Sequence, residues 1–422
     1  MKYTKKDMGS FKLHIINTDK FKTISVKVIF RSPIKRDEIT IRNILSDLFM
    51  QSSKKYASKR ELTIKAQDLY AADFSTSNSR LGNYITTTFH LNVLNDKYTE
   101  EGNFCEAIKF LGEIIFNPDV VDDKFNKEKI DIVKTNCRSA LNSLKEDSSN
   151  YSLIRMLEEF DSNSPVSFRL SGYLDDIDKV NENNLFSYYQ KMINYDFVDI
   201  FVLGDVNEDE IVKMFREYFK IRTIKKEKIS YLLDEVNTKK KRQFNEKSDN
   251  SQSKLSICCR TNGLSDYERN YVLTLYNIIL GGGSDSKLFR EVREENSLCY
   301  TIYSVPNKLD KILIIQAGID KVNYDKTVKL VEKALDDMRN GKFNDNDISI
   351  AREYYLTALE EVYESSDRII DNYLMMEIIG TDEIDVKREM IMKVTKDEII
   401  KVAKKVKLDT VFLLEGVKDE RD

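Results

Sequence analysis

At 422 residues the chain is too long for one ordinary core, and two domains of roughly 200 residues each are the natural division. With 41% hydrophobic and 33% charged residues it reads as a folded, water-compatible sequence rather than a disordered one. Its 67 basic and 71 acidic side chains leave a net charge of -4, which excludes the long-range attraction that nucleic acid or an anionic membrane requires.

Residues 1–10 carry no apolar run behind their positive charges, so they do not read as a secretory signal. Nowhere do about 18 uninterrupted apolar residues occur, the length a membrane-crossing helix needs. The five cysteines, Cys105, Cys137, Cys258, Cys259 and Cys299, show no CxxC spacing, and reduced thiols in a cytoplasmic protein are expected. Cys258 and Cys259 are neighbours in a strand-like run and are expected on opposite faces.

The apolar pattern alternates between period 2 and period 3.6, as an α+β protein requires. Thr23–Phe30 reads as a strand and Asp37–Met50 as a helix with Ile41, Leu45 and Leu48 on one face. Leu62–Tyr70 reads as a second helix, and Phe74–Ser77 and Tyr84–Val93 as paired strands rich in β-branched residues. Long helices are expected over Tyr98–Phe116 and from Asp122 to about Lys145, broken at Asn117-Pro118. A strand at Asp199–Gly204 and a helix from Glu208 close this half, the helix placing Ile211, Phe215 and Phe219 on one face. The lysine-rich, polar stretch 223–250 reads as a solvated linker between a domain at 1–222 and another at 251–422.

The second half repeats the first. Arg31 and Arg260 each end a strand, Asp37 and Asp266 each open the following helix, and both pairs are separated by 229 positions. The closing strands, from Asp199 and from Thr410, are separated by 211, so the second copy is somewhat shorter. Two copies of one unit are the economical explanation.

One segment is distinctive. Leu280-Gly281-Gly282-Gly283 leads through Arg290-Glu291 and Arg293 to Leu298-Cys299-Tyr300. This resembles the C-terminal-half signature of the insulinase, pitrilysin and mitochondrial-processing peptidase family. Phe116-Asn117-Pro118 with Glu128 downstream, and the stretch from Gly172 to Leu185 followed by Gly204-Asp205-Val206, are similar to further family segments. The resemblance implies two homologous domains, each an antiparallel sheet flanked by helices, facing each other as a clamshell around a peptide chamber.

Active relatives carry His-x-x-Glu-His on an early helix: two histidines at i and i+4 bind zinc and the glutamate activates its water. Here the only histidines, His14 and His90, lie far apart in strand-like runs and read as ordinary strand residues. By resemblance the motif positions are held by Asn43, Ser46 and Asp47, with Glu128 at the third-ligand position. Without imidazole or thiolate that set is a poor zinc site, so no metal, no cofactor and no peptide hydrolysis by this chain alone are expected. What remains is the family's Arg/Tyr pair, matched here by Arg293 and Tyr300 seven residues apart, a guanidinium and a phenol suited to a developing oxyanion. Gly281, Gly282 and Gly283 lack the order of a nucleotide-binding loop and are expected to let the backbone approach a peptide, with the strand Thr301–Val305 offering its edge.

The resemblance thus implies the substrate-binding, zinc-less subunit of a heterodimeric peptidase, partnered by a zinc-bearing paralogue and an extended peptide. A homodimeric or partnerless peptide-binding or scaffold protein is the alternative, and a peptidase with a different metal arrangement is a third. Within the family the similarity is to inactive bacterial members associated with aminopentanol modification of elongation factor P.

Overall fold

The computed structural model describes residues 1–221, 228–236 and 240–417. They form two compact α/β units: Met1–Asn142 with Arg169–Ser230 and Ser365–Tyr373, and Ser143–Phe168 with Tyr231–Glu364 and the chain from Leu374 onward. Each unit therefore takes in a short segment from the other half of the sequence.

The first unit is built on β1 (Lys2–Asp7), β2 (Lys12–Asn17), β3 (Thr23–Pro33), β4 (Asp73–Leu81), β5 (Tyr84–Leu94) and β8 (Phe197–Gly204), ordered β1-β2-β8-β3-β5-β4. All neighbours are antiparallel except β2 and β8. Helices α1 (Ile39–Leu48), α2 (Lys59–Asp68), α3 (Asn103–Phe116), α4 (Lys127–Asn142), α6 (Leu174–Ile177), α7 (Glu182–Tyr195) and α8 (Glu208–Tyr218) accompany it. The period-2 alternation of β3 sends Val26, Val28 and Phe30 into a core with Ile44, Leu45, Ile108, Leu111 and Phe215. Helix α3 begins at Asn103 rather than Tyr98, because the Asp96 carboxylate accepts from the N–H groups of Gly102 and Phe104 at its start. Helix α4 begins at Lys127 because β6 (Val120–Val121) and β7 (Lys124–Phe125) form a tight ladder first, turned by Asp122 and Asp123 at positive φ.

Arg42, on α1 and 1% exposed, is the largest fully buried side chain. Its guanidinium donates to Asp196 (2.7 Å), Thr87 (2.8 Å), Ser32 (2.9 Å), the Phe30 carbonyl (3.2 Å) and Tyr188 (3.4 Å). On the other face of the sheet Asp199 of β8 accepts from Arg31 and lies 3.0 Å from His14 Nε2, whose Nδ1 meets the Tyr3 hydroxyl at 2.8 Å. His14 is thus a fully bonded, buried strut rather than an ordinary strand residue.

The second unit orders β11 (Cys299–Asn307), β12 (Ile312–Ile319), β10 (Ser253–Arg260), β13 (Lys407–Gly416) and β9 (Arg242–Ser248) side by side, with only β9 and β13 parallel. Read from β9, this is the order and direction of β2-β8-β3-β5-β4, so the duplication extends to the sheet. Helices α9 (Leu273–Gly281), α10 (Tyr324–Arg339), α11 (Asp345–Glu361), the later part of α12 (Ser366–Ile379), α13 (Ile384–Lys393) and α14 (Lys396–Lys405) belong to it. Helix α5 (Ser148–Phe160) covers the far face, packing Tyr151, Met156 and Phe160 with Cys258, Phe412 and Leu414. Cys259 points into the opposite core, as strand alternation requires. In the first unit, Ser365–Tyr373 meets the corresponding face: Ser366 bonds Ser25 (3.0 Å), Asp371 bonds Lys27 (2.8 Å) and Tyr373 stacks on Tyr3.

Two features differ from the sequence reading. Arg242–Ser248, inside the stretch 223–250 read as linker, is the edge strand β9, because its backbone pairs in parallel with β13 and Arg242 bonds Asp409. Residues 143–168, read with the first domain, pack with the second unit. Residues 223–227 and 237–239 of the expected linker lie outside the described residues.

Two outcomes are expected. Arg42→Met removes the guanidinium that pairs with the buried Asp196 carboxylate and costs roughly 3–5 kcal/mol in urea unfolding monitored by circular dichroism. Burial alone would raise the Asp199 carboxyl, but the His14 and Arg31 bonds outweigh it and hold its pKa at about 2, below the ordinary 3.8. Its stabilising contribution is therefore complete above pH 3.8 and lost as pH falls through about 2. Asp199→Asn should flatten that part of the acid limb in a pH series of melts.

Candidate functional site

The positions matching the lost zinc motif lie on α1, and the fold already employs them. The Asn43 amide donates to the Leu170 carbonyl (2.5 Å) and its oxygen accepts from Asn78 on β4 (2.8 Å). Ser46 is buried, and its carbonyl accepts from Thr76 of β4 at 3.1 Å. Asp47 keeps an exposed edge, and burial of the rest pushes its carboxyl up. Glu128 is exposed in the first turn of α4. The donor set does not fit zinc: Asn43 has its oxygen engaged and no imidazole or thiolate accompanies it. Among the described residues no group of three or more His, Cys, Asp or Glu side chains is arranged to hold a metal ion. His90 sits on β5 with Nε2 3.4 Å from Asp367.

Arg293 and Tyr300 lie side by side. Residues Phe289–Glu294 form a π-helical segment, and the Glu295 N–H reaches back to the Arg290 carbonyl at 2.9 Å. Ser297, at φ 53°, then reverses the chain: its N–H bonds the Arg293 carbonyl (2.9 Å) and the Leu298 N–H bonds that of Val292 (3.1 Å). This wide, left-handed cap folds Tyr300 back beside Arg293. The guanidinium carbon lies 5.1 Å from the Tyr300 ring centre and 4.5 Å from that of Phe289. Tyr300 itself is 75% exposed, with its hydroxyl available to a ligand.

Tyr300 is the second residue of β11, the outer strand of its sheet, and the register with β12 slips between Cys299 and Ile302. Bulges of this kind re-aim side chains at sheet edges. Further along, Ile302 and Ser304 face inward while Tyr303 and Val305 are exposed, so the edge carries an apolar outer face. Burial pushes the Cys299 thiol up to about 11 despite the opposing pull of Arg293, so it is no ready thiolate nucleophile.

The glycines divide by role. A Cβ at Gly281 would come within 2.5 Å of Ser304 Oγ on β11, and one at Gly282 within 2.7 Å of the Ile278 Cα. These two are explained by close packing of the chain on itself. A Cβ at Gly283 would meet only Tyr354, at 3.8 Å, so that position alone has room beside it. The strand expected at Phe74–Ser77 is β4, which runs on to Leu81 as a polar edge strand beside α1.

Fold and site together define a two-unit, duplicated α/β protein in which Asn43 and Ser46 of α1 make structural contacts and Arg293 lies over Tyr300. Residues 179–355 match the Peptidase M16 inactive domain. Over 419 residues, covering 97% of this chain and 96% of the relative, the sequence is 28% identical to the probable inactive metalloprotease YmfF of Bacillus subtilis (strain 168). The structure of a conserved protein from Enterococcus faecalis V583 matches with a TM-score of 0.91 at 28% identity over 100% of both chains. A protease from Helicobacter pylori shares the fold, with a TM-score of 0.80 at 13% identity over 98% of this chain and 99% of its own. Over nearly its whole length the chain is thus similar to inactive homologues of the M16 peptidase family. No helix among the described residues is long and apolar enough to cross a membrane.

Ser297→Gly relieves the positive φ without touching Arg293 or Tyr300. It should stabilise the chain by about 0.5–1 kcal/mol in denaturant titration. A loss of stability would show that the Ser297 side chain, not the backbone reversal, supports the cap.

Proposed function

We propose that this chain is the non-catalytic, substrate-holding subunit of a cytoplasmic heterodimeric zinc peptidase, acting on extended peptides beside a zinc-bearing paralogue. The observation that carries the reading is Arg293 lying over an exposed Tyr300 at the bulged start of an edge strand, in a chain whose motif positions cannot hold zinc. An edge strand binds an extended peptide through its free backbone groups, while alternate side chains meet its flank, here Tyr303 and Val305. A guanidinium and phenol beside that edge stabilise negative charge on a carbonyl that another chain's nucleophile attacks. Five unpaired cysteines agree with a reducing compartment.

A second reading is a peptide-binding or scaffold protein with no peptidase partner, alone or as a homodimer. The stacking of Arg293 on Phe289 as well as on Tyr300 favours it, since that contact serves packing too.

Affinity purification from the native host followed by native mass spectrometry separates the two. A stoichiometric paralogue bearing His-x-x-Glu-His is expected, and Arg293→Ala should lower kcat/KM of the pair by about a hundredfold without altering its zinc content. Recovery of the chain alone or as a homodimer sinks the subunit reading, and unchanged kcat/KM in the variant removes the role given to Arg293.

A further inference from the structure

Between the end of α9 and helix α11 lies a small, solvent-open cavity of about 60 Å³. Its walls include Ile278, Ile350 and the ring of Tyr354, and its polar end is formed by Asp285, Ser286 and Asp347. Ser286 is 2% exposed, yet its Oγ has no hydrogen-bond partner among the described residues. A buried hydroxyl without a partner is costly, and a ligand donor is one way to complete it. The two carboxylates are not equivalent. Asp347 accepts from Arg290 (3.2 Å) and from the Asn344 N–H (2.8 Å), whereas Asp285 is exposed and joins no ion pair among the described residues. The polar end therefore carries one uncompensated negative charge and one idle hydroxyl, behind a lining that suits methylene groups.

We propose that this cavity seats a basic side chain of the bound peptide, lysine or arginine, with its stem against Ile278, Ile350 and Tyr354 and its head donating to Ser286 Oγ and Asp285. The proposal rests on the peptide-binding reading above and adds a residue preference to it. A long cationic side chain matches the site because its stem is apolar and its terminus is all donor. An acidic side chain would face Asp285 and Asp347, and a purely apolar one would leave Ser286 unbonded. Gly283 also lines the cavity, the one glycine of its loop with open space beside it, so a peptide backbone can pass over the mouth.

The test uses fluorescently labelled Ala/Thr peptides of nine residues with lysine, norleucine or glutamate at the centre, titrated onto the full chain by anisotropy. The lysine peptide should bind roughly tenfold more tightly than the norleucine peptide, the scale of one charge-assisted hydrogen-bonded contact. Asp285→Asn should abolish that difference. Ile350→Trp, at a position 37% exposed, should obstruct the cavity and weaken the lysine peptide selectively. Both substitutions are at accessible positions, and unchanged thermal melts would show the variants folded. Equal affinity for lysine and norleucine, or a preference that survives Asp285→Asn, overturns the cavity assignment while leaving peptide binding intact. Failure of every peptide to bind the wild-type chain overturns the peptide-binding reading and this one with it.

Discussion

In both units a buried carboxylate on the closing strand is shared between the two strands flanking it, and the rest of each sheet is arranged around that bond. Asp199 on β8 is held by Arg31 of β3 and His14 of β2; Asp409 on β13 is held by Arg260 of β10 and Arg242 of β9. Both carboxylates are 1% exposed, so neither state without a partner is tolerable. Each sheet is then closed by residues far apart in the chain, and the pairing works only in one register, because a one-residue slip would turn the carboxylate to the other face.

The third partner explains where the two units diverge. A histidine has two ring nitrogens to satisfy: His14 spends one on Asp199 and the other on Tyr3, and so fixes β1, a strand with no counterpart in the second sheet. Arg242 has donors to spare and spends them on the carbonyls of Glu159 (3.0 Å) and Phe160 (2.6 Å), the C-terminal end of α5. A cation at a helix C-terminus satisfies orphan carbonyls and the helix dipole together. The partner on the neighbouring parallel strand thus recruits a further strand in one unit and a helix in the other.

Much of this was legible in sequence because it is periodic or repeated. The Arg31/Arg260 and Asp37/Asp266 spacing revealed the duplication, and strand alternation separated Cys258 from Cys259. What was not legible depends on partners rather than pattern. The amphipathic run of α5 does not say which sheet its apolar face meets, so residues 143–168 were read with the wrong half. The polar strand β9 has neither apolar alternation nor turn residues to betray it, and only backbone pairing with β13 makes it a strand. At the site, the seven-residue spacing of Arg293 and Tyr300 was visible, but the π-helical turn and the left-handed Ser297 that bring them together were not. The cavity beside Gly283 was likewise invisible, since its walls come from segments some 70 residues apart in sequence.

The two sets of positions that the resemblance singles out are used differently for a physical reason. The α1 positions face β4, so once the imidazoles are absent short polar side chains there can be reused as struts, as Asn43 is between Asn78 and Leu170. Restoring metal binding would mean breaking those bonds as well as replacing residues. Arg293 and Tyr300 have no such alternative employment on the ladder: Tyr300 projects from a bulge and its hydroxyl is in the open. A donor pair alone stabilises charge but does not create it, and the nearest candidate nucleophile, Cys299, is held protonated by burial.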